Sequence, residues 1–217
     1  MPQSSAQLRG VGLFGGTFDP VHIGHLRTAL ELKNALALAE MRLMPSAQPP
    51  HRTPPQASPK QRMAMLQLGL AGEPGLVADD RELRRDGPSY TVDSLIELRR
   101  EIGPEVPLCL CIGMDALHTI NQWHRWRELT DFAHLVVAAR PGWHLPDSGE
   151  VWDFVDGHRI RQTGELQTTA AGGLLIREMT LLPISATGIR QALQRGESIR
   201  YLVPDGIIDY INQNQLY

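Results

Sequence analysis

GLFGGTFDPVHIGH, residues 12–25, is the stretch from which the rest of the chain is read. The apolar residues from Gly10 to Phe14 make a short strand candidate. Gly15 and Gly16 follow, then an Asp-Pro turn, then a helix that opens with His22, Ile23, Gly24 and His25. Its apolar spacing through Leu26, Ala29, Leu30 and Leu36 carries the helix to Leu38. Glycines after a strand let the backbone approach a ligand closely or take positive φ. A helix N-terminus offers N–H groups and a positive dipole end to an anion. His22 and His25, three residues apart, share a helix face. Gly24 between them is a poor helix former, and a flat ligand needing room would explain it. The plainer alternative is a tight glycine turn with two histidines that merely cap the helix. A metal pair is disfavoured, since no third ligand is signalled and H-E-x-x-H is missing. G-x-G-x-x-G and the lysine phosphate loop are absent as well.

Working outward, strands and helices alternate. Met41–Met44, Leu76–Ala78, PLCLCIG (107–113), HLVVAAR (134–140) and Leu174–Met179 read as strands. PLCLCIG is apolar on both faces, as a central parallel strand requires. Between them lie a helix capped by Ser58, with Pro59 and Gln61 and an apolar face of Met63, Leu66 and Leu70, and a helix over Thr91–Ile102 that stops at Gly103. Helical spacing resumes from Met114 to Phe132 and again after Ile184, while residues 141–169 are the least legible and the role of 141–182 stays open. The expected fold class is α/β, a Rossmann-like, doubly wound parallel sheet with helices on both faces. One domain over residues 1–217 is expected, with a C-terminal helical part from about 184. In such sheets ligands bind beyond the carboxyl ends of the strands, where residues 15–25 lie.

The composition, 42% apolar and 21% charged over 217 residues, is that of an ordinary globular protein. A net charge of −3 argues against a broad nucleic-acid footprint but not against small anionic ligands. The basic run RELRRD (81–86) reads as solvated surface. Cys109 and Cys111 share one strand face as small buried residues, with no disulfide framework or zinc spacing. No signal peptide and no membrane-length apolar run is evident, so a cytoplasmic protein without a membrane partner is expected. The sequence leaves the oligomeric state open.

A second element, PISATGIRQAL (183–193), places Ser185, Thr187 and Arg190 at a helix start, where hydroxyls and a guanidinium suit phosphate oxygens. Taken alone it reads equally well as an N-cap serine and a surface arginine. HIGH after a Gly-Gly-Thr-Phe-Asp-Pro turn resembles the nucleotidylyltransferase superfamily, and PISATGIRQAL resembles its second phosphate-binding motif. Ala186 stands where that motif usually has another serine. With PPHR (49–52), GPSYTVDSL (87–95) and IGMDALHTINQWHRW (112–126), the chain resembles the bacterial nicotinate mononucleotide adenylyltransferases. The resemblance runs from about residue 10 to 140 and resumes at 183–211.

That resemblance implies transfer of AMP from ATP to nicotinate mononucleotide, with Mg²⁺ carried mainly on the ATP phosphates. It assigns the triphosphate to His22, His25 and Arg190, and the rest of ATP to Gly15, Gly16, Thr17, Phe18, Gly24, Gly113, Asp115, Ser185 and Thr187. It assigns the mononucleotide to His51, Arg52, Tyr90, Thr91 and Trp123. The plain alternatives are a solvated loop for His51 and Arg52, a helix cap for Asp115 and a core aromatic for Trp123. Ser46 replaces an asparagine common in the family where the 46–52 loop begins, and that contact stays open. Rival acceptors are nicotinamide mononucleotide and pantetheine phosphate. A non-catalytic nucleotide-sensing regulator is the rival from another class.

Overall fold

The computed structural model describes residues 9–47, 54–85, 87–145, 147–180 and 182–217. His51 and Arg52 therefore lie outside the described residues. Six strands form one sheet: β1 (Val11–Gly16), β2 (Glu40–Pro45), β3 (Leu76–Ala78), β4 (Leu108–Gly113), β5 (His134–Ala139) and β6 (Leu174–Glu178). Their order is β3-β2-β1-β4-β5-β6, all parallel. The expected α/β class is the observed one. The helices are α1 (Ile23–Ala35), α2 (Pro59–Leu70), α3 (Thr91–Ile102), α4 (Met114–His118), α5 (Leu129–Phe132), α6 (Glu150–His158), α7 (Ala186–Gln194) and α8 (Asp205–Gln213). No helix among the described residues is long and apolar enough to cross a membrane.

Packing gathers the chain into two compact units. One comprises Met1–Leu13, Lys33–Glu40 and Tyr90–Glu178. Its centre is β4 and β5, paired from Cys109 with His134 to Gly113 with Ala138. All six residues of β5 and the first five of β4 are buried, which requires cover on both faces of the strands. Cys109 and Cys111 lie in that core, and burial pushes the Cys109 thiol up to about 12, so both behave as small apolar residues. The other unit comprises Phe14–Leu32, Met41–Ser89 and Met179–Tyr217. Here β2 pairs with β3 from Met41–Leu76 to Leu43–Ala78.

Several boundaries differ from the sequence reading for identifiable reasons. Helix α1 ends at Ala35 rather than Leu38 because Ala37 adopts φ 51°. Leu38 N–H then donates to the Lys33 carbonyl (3.0 Å) and Ala37 N–H to that of Asn34 (3.1 Å), a Schellman closure built without its usual glycine. Helix α2 has the expected capping box, Gln61 N–H to Ser58 Oγ and Ser58 N–H to Gln61 Oε1. Its buried face, however, is Arg62, Met65, Leu66 and Leu70, with Met63 only half-buried.

The helical stretch from Met114 to Phe132 is not continuous. It breaks into α4, two 3₁₀ turns (Ile120–Gln122 and Trp126–Glu128) and α5, with Trp123 extended and Arg125 left-handed at φ 52°. The run at 81–86 is not simply solvated either. Arg81 and Glu82 are buried, and Arg81 grips Asp79 through Nε to Oδ1 (2.9 Å) and Nη2 to Oδ2 (2.7 Å). A guanidinium is tolerated there because the carboxylate matches its planar fork. Residues 141–169, the least legible in the sequence, contribute α6 and a 3₁₀ turn at Thr163–Gln167, and the expected last strand follows as β6.

Candidate active site

Beyond the carboxyl end of β1 the chain makes a sharp descent into α1. Phe18 takes φ 50°, and the Asp19–Pro20 peptide is cis. Gly16 is required here, because a Cβ at that position would lie 2.7 Å from the Phe18 ring. Gly15 is exposed at the strand end, and the Thr17 carbonyl accepts from Arg62 Nη1 at 2.7 Å. Phe18 is buried and meets the His25 ring edge-on, centroids 5.0 Å apart.

His22 precedes the first helical residue, and His25 lies in the first turn. Their rings stack, with centroids 3.6 Å apart and planes 22° from parallel. Each Nδ1 accepts the backbone N–H of the other histidine, at 3.4 Å in both directions. Burial lowers the His22 pKa to about 4, and burial, then repulsion from His22, holds His25 well below its ordinary value. Both rings are therefore neutral near pH 7. A neutral imidazole that accepts at Nδ1 carries its proton on Nε2, so each keeps one N–H to donate. Gly24 has a cause within the fold itself: its Cβ would stand 3.0 Å from His22 Nδ1 and 3.6 Å from Ile184. The missing side chain leaves room for the stacked ring.

These values predict an acid response of the free protein. Between the ordinary histidine pKa and 4, the unfolded chain binds a proton that folded His22 refuses, so stability falls as pH drops through that window. The His22 contribution approaches about 3 kcal/mol at its acid end. Urea midpoints from pH 7 to 4.5 should decline less in His22→Asn than in the wild type. Parallel curves would show that His22 is not held neutral by burial.

The second element enters the same unit through α7. Ser185 is its N-cap, accepting Gly188 N–H at 3.1 Å, which leaves the hydroxyl proton to donate. Thr187 Oγ1 accepts from Arg190 Nη2 at 3.3 Å, and Arg190 Nη1 donates to the Asp19 backbone carbonyl at 2.6 Å. Arg190 is thus tied to the turn that leads into the histidines and is not a solvated surface arginine. Ala186 opens the helix without a hydroxyl.

Sequence reasoning passed over three residues beneath this site. Asp19 is 4% exposed and accepts from Gln56 N–H (2.8 Å), Ala57 N–H (3.1 Å) and Tyr217 Oη (2.7 Å). Arg62 is fully buried and donates to the Thr17 and Ser46 carbonyls at 2.7 and 2.8 Å. Ser46 in turn donates its backbone N–H to the Gly16 carbonyl at 2.9 Å. Asp19 had a signal, as the polar residue of the turn. Tyr217, 198 positions away, had none.

The remaining candidates belong to the other unit. Gly113 ends β4 exposed, with nothing within 4 Å of where a Cβ would be, and Asp115 is exposed in the first turn of α4. Tyr90 is the extended N-cap of α3 and makes no side-chain cap bond, and Thr91 is the first helical residue. The Tyr90 ring packs on His124, centroids 4.3 Å apart, which brings the turn carrying Trp123 to the α3 N-terminus. Trp123 is half-buried at the end of its 3₁₀ turn. The core aromatic is instead Trp126, 6% exposed and edge-on to Phe154. His124, not singled out in the sequence, is the residue that joins these two segments.

The sequence profile of the cytidylyltransferase-like family matches residues 13–192. A probable nicotinate-nucleotide adenylyltransferase of Cellvibrio japonicus is 52% identical over 207 residues, covering 95% of this chain and 98% of its own. Its counterpart in Aeromonas hydrophila is 48% identical, covering 95% and 96%. Among solved structures, the nicotinic acid mononucleotide adenylyltransferase of Plasmodium falciparum complexed with NaAD superposes with a TM-score of 0.71. It is 15% identical, covers 95% of this chain and 96% of its own, and so speaks for the fold.

Proposed function

The chain belongs to the cytidylyltransferase-like family, and from that membership we propose that it works as a nicotinate-nucleotide adenylyltransferase. It transfers AMP from ATP to nicotinate mononucleotide, giving nicotinate adenine dinucleotide and pyrophosphate for NAD biosynthesis. The observation that carries this reading is the stacked His22–His25 pair, two neutral imidazoles whose tautomers are set by each other's backbone.

The 5′-phosphate of the mononucleotide attacks the α-phosphorus of ATP in line. A P–O bond forms to it as the bond to the β-phosphate oxygen breaks, and pyrophosphate leaves with the electron pair. The nucleophile is already ionised, so no general base is needed, and catalysis is alignment plus stabilisation of shifting charge. His22 and His25 donate Nε2–H to the triphosphate. Arg190, anchored on Asp19, holds its outer phosphates with Thr187 and the Ser185 hydroxyl. Gly15, Gly16, Thr17, Phe18 and Gly24 shape the turn against the nucleotide, and Gly113 and Asp115 take the adenosine, the carboxylate accepting from ribose hydroxyls. Trp123 stacks on the pyridinium, the α3 N-terminus at Tyr90 and Thr91 receives the nicotinate carboxylate, and His51 and Arg52 meet the mononucleotide phosphate.

Mg²⁺, carried with ATP, would supply charge neutralisation. The protein groups here are imidazole, guanidinium and hydroxyl donors, and the Asp19 carboxylate is already occupied by three donors, which fits a metal carried by the nucleotide. We place the reaction in the cytoplasm, where two free cysteines stay reduced.

Pyrophosphate release on mixing the protein with ATP, Mg²⁺ and nicotinate mononucleotide tests the reading. ATP binding without release would instead make the protein a sensor. Arg190→Lys is expected to raise KM for ATP by about fivefold to tenfold, since Lys keeps the charge but cannot hold the Asp19 carbonyl and a phosphate with one planar fork. KM for the mononucleotide should change little. Equal changes in both would remove Arg190 from the triphosphate.

A further inference from the structure

We propose that Tyr217 is a positioning residue for the ATP site: by occupying Oδ1 of the buried Asp19, it keeps the long ion pair of that carboxylate with Arg190 from tightening to hydrogen-bond distance. The proposal rests on Arg190 as the ligand of the outer phosphates. After α8 the chain folds back on itself, with Leu216 N–H donating to the Ile211 carbonyl at 3.1 Å and with Gln215 and Tyr217 at φ 50° and 70°. Left-handed backbone at a bulky residue is unfavourable and persists only where the surroundings dictate it. Its result is a phenolic O–H donated to Asp19 Oδ1 at 2.7 Å.

Asp19 is thereby satisfied by neutral donors, the phenol and the backbone N–H groups of Gln56 and Ala57. Arg190 Nη1 approaches Asp19 Oδ2 only to 3.8 Å, while its 2.6 Å bond goes to the backbone carbonyl of the same residue. The short bond of the guanidinium goes to an uncharged oxygen and its ion pair with the carboxylate stays long, which leaves its other N–H groups to an incoming phosphate. Arg62, the other cation beside Asp19, gives Nη1 to the Thr17 and Ser46 carbonyls, while its Nε and Nη2 are buried without a hydrogen-bond partner. If the phenolic O–H is removed, Oδ1 loses a charge-assisted bond in a buried setting, and Arg190, already 3.8 Å from the same carboxylate, is the cation placed to be drawn in. Burial, then the Asp19 hydrogen bond, raises the Tyr217 pKa, so the donor persists at working pH.

The test compares wild type, Tyr217→Phe and Tyr217→His by calorimetric titration with ATP–Mg²⁺, by KM for both substrates and by thermal unfolding. Tyr217→Phe should weaken ATP by about tenfold, the effect of one hydrogen bond to a charged group. It should leave KM for the mononucleotide within about twofold. Tyr217→His restores a donor and should recover part of the ATP affinity. Unchanged ATP affinity in the Phe variant, equal loss in the Phe and His variants, or parallel weakening of both substrates that tracks the unfolding temperature would each overturn the proposal. If wild type binds ATP without turning over nicotinate mononucleotide, the functional reading fails, while the titration still decides the role of Tyr217.

Discussion

His25→Ala is expected to lower turnover by about 10²–10³-fold, the usual consequence of losing one preorganised donor to developing charge. The expectation comes from how the ring is held. It is stacked on His22 at 3.6 Å, set edge-on against Phe18, and fixed as the Nε2–H tautomer by the His22 backbone. Such a donor needs no reorganisation when pyrophosphate begins to leave. The variant loses only a half-buried ring and one long hydrogen bond, so it should fold. Far-ultraviolet circular dichroism and a cooperative melt establish that, and pyrophosphate release measures turnover. Near-normal turnover in the folded variant would take His25 out of the site. His22→Ala is the less informative substitution, because that ring is deeper and its loss opens a cavity beside Gly24.

What the sequence made legible was what local chemistry determines. A Gly-Gly turn after an apolar run, two histidines three residues apart, and Ser58 with Gln61 each declare their geometry within a few residues. Buried β4 and β5 declared themselves by continuous apolar runs. What stayed hidden depends on partners far along the chain. Nothing near Arg62 indicates that it will be buried under the Thr17 and Ser46 carbonyls, and a helix pattern that assigns it to the polar face is reasonable until those acceptors are known. Arg81 was missed for a different reason: its partner Asp79 is only two residues away, but the run 81–86 reads as exposed charge and nothing in it signals burial.

The Met114–Phe132 stretch shows the opposite failure. Its apolar spacing suggested one helix, yet left-handed Arg125 and extended Trp123 break it, and the break separates a core tryptophan, Trp126, from the half-buried Trp123. Gly24 was legible as a poor helix former, but the His22 ring that a Cβ would crowd was not.

The preference for acid over amide is expected to reach at least about tenfold, and up to about a hundredfold, in kcat/KM, from one buried donor left unpaired. Helix α3 begins at Thr91 after an extended Tyr90 that makes no side-chain cap bond, so the first-turn N–H groups are the donors offered there. A carboxylate accepts hydrogen bonds at both oxygens and meets the positive end of the helix dipole. The carboxamide of nicotinamide mononucleotide would turn an NH₂ group toward those donors unless it flipped, leaving polar groups unpaired. Loss of the charge-assisted bond adds to the penalty. Trp123 does not share in this discrimination, because stacking engages the pyridinium common to both substrates, with a cation–π attraction of about 0.5–2 kcal/mol. Trp123→Ala should therefore weaken both mononucleotides and leave their ratio unchanged, whereas Trp126→Ala, which empties the contact with Phe154, should act through stability. Side-by-side kcat/KM values for the two mononucleotides in wild type and Trp123→Ala measure both effects. Equal values in wild type would mean that the α3 N-terminus does not receive the acid group, and a ratio that collapses in Trp123→Ala would move the discrimination from that helix to the ring.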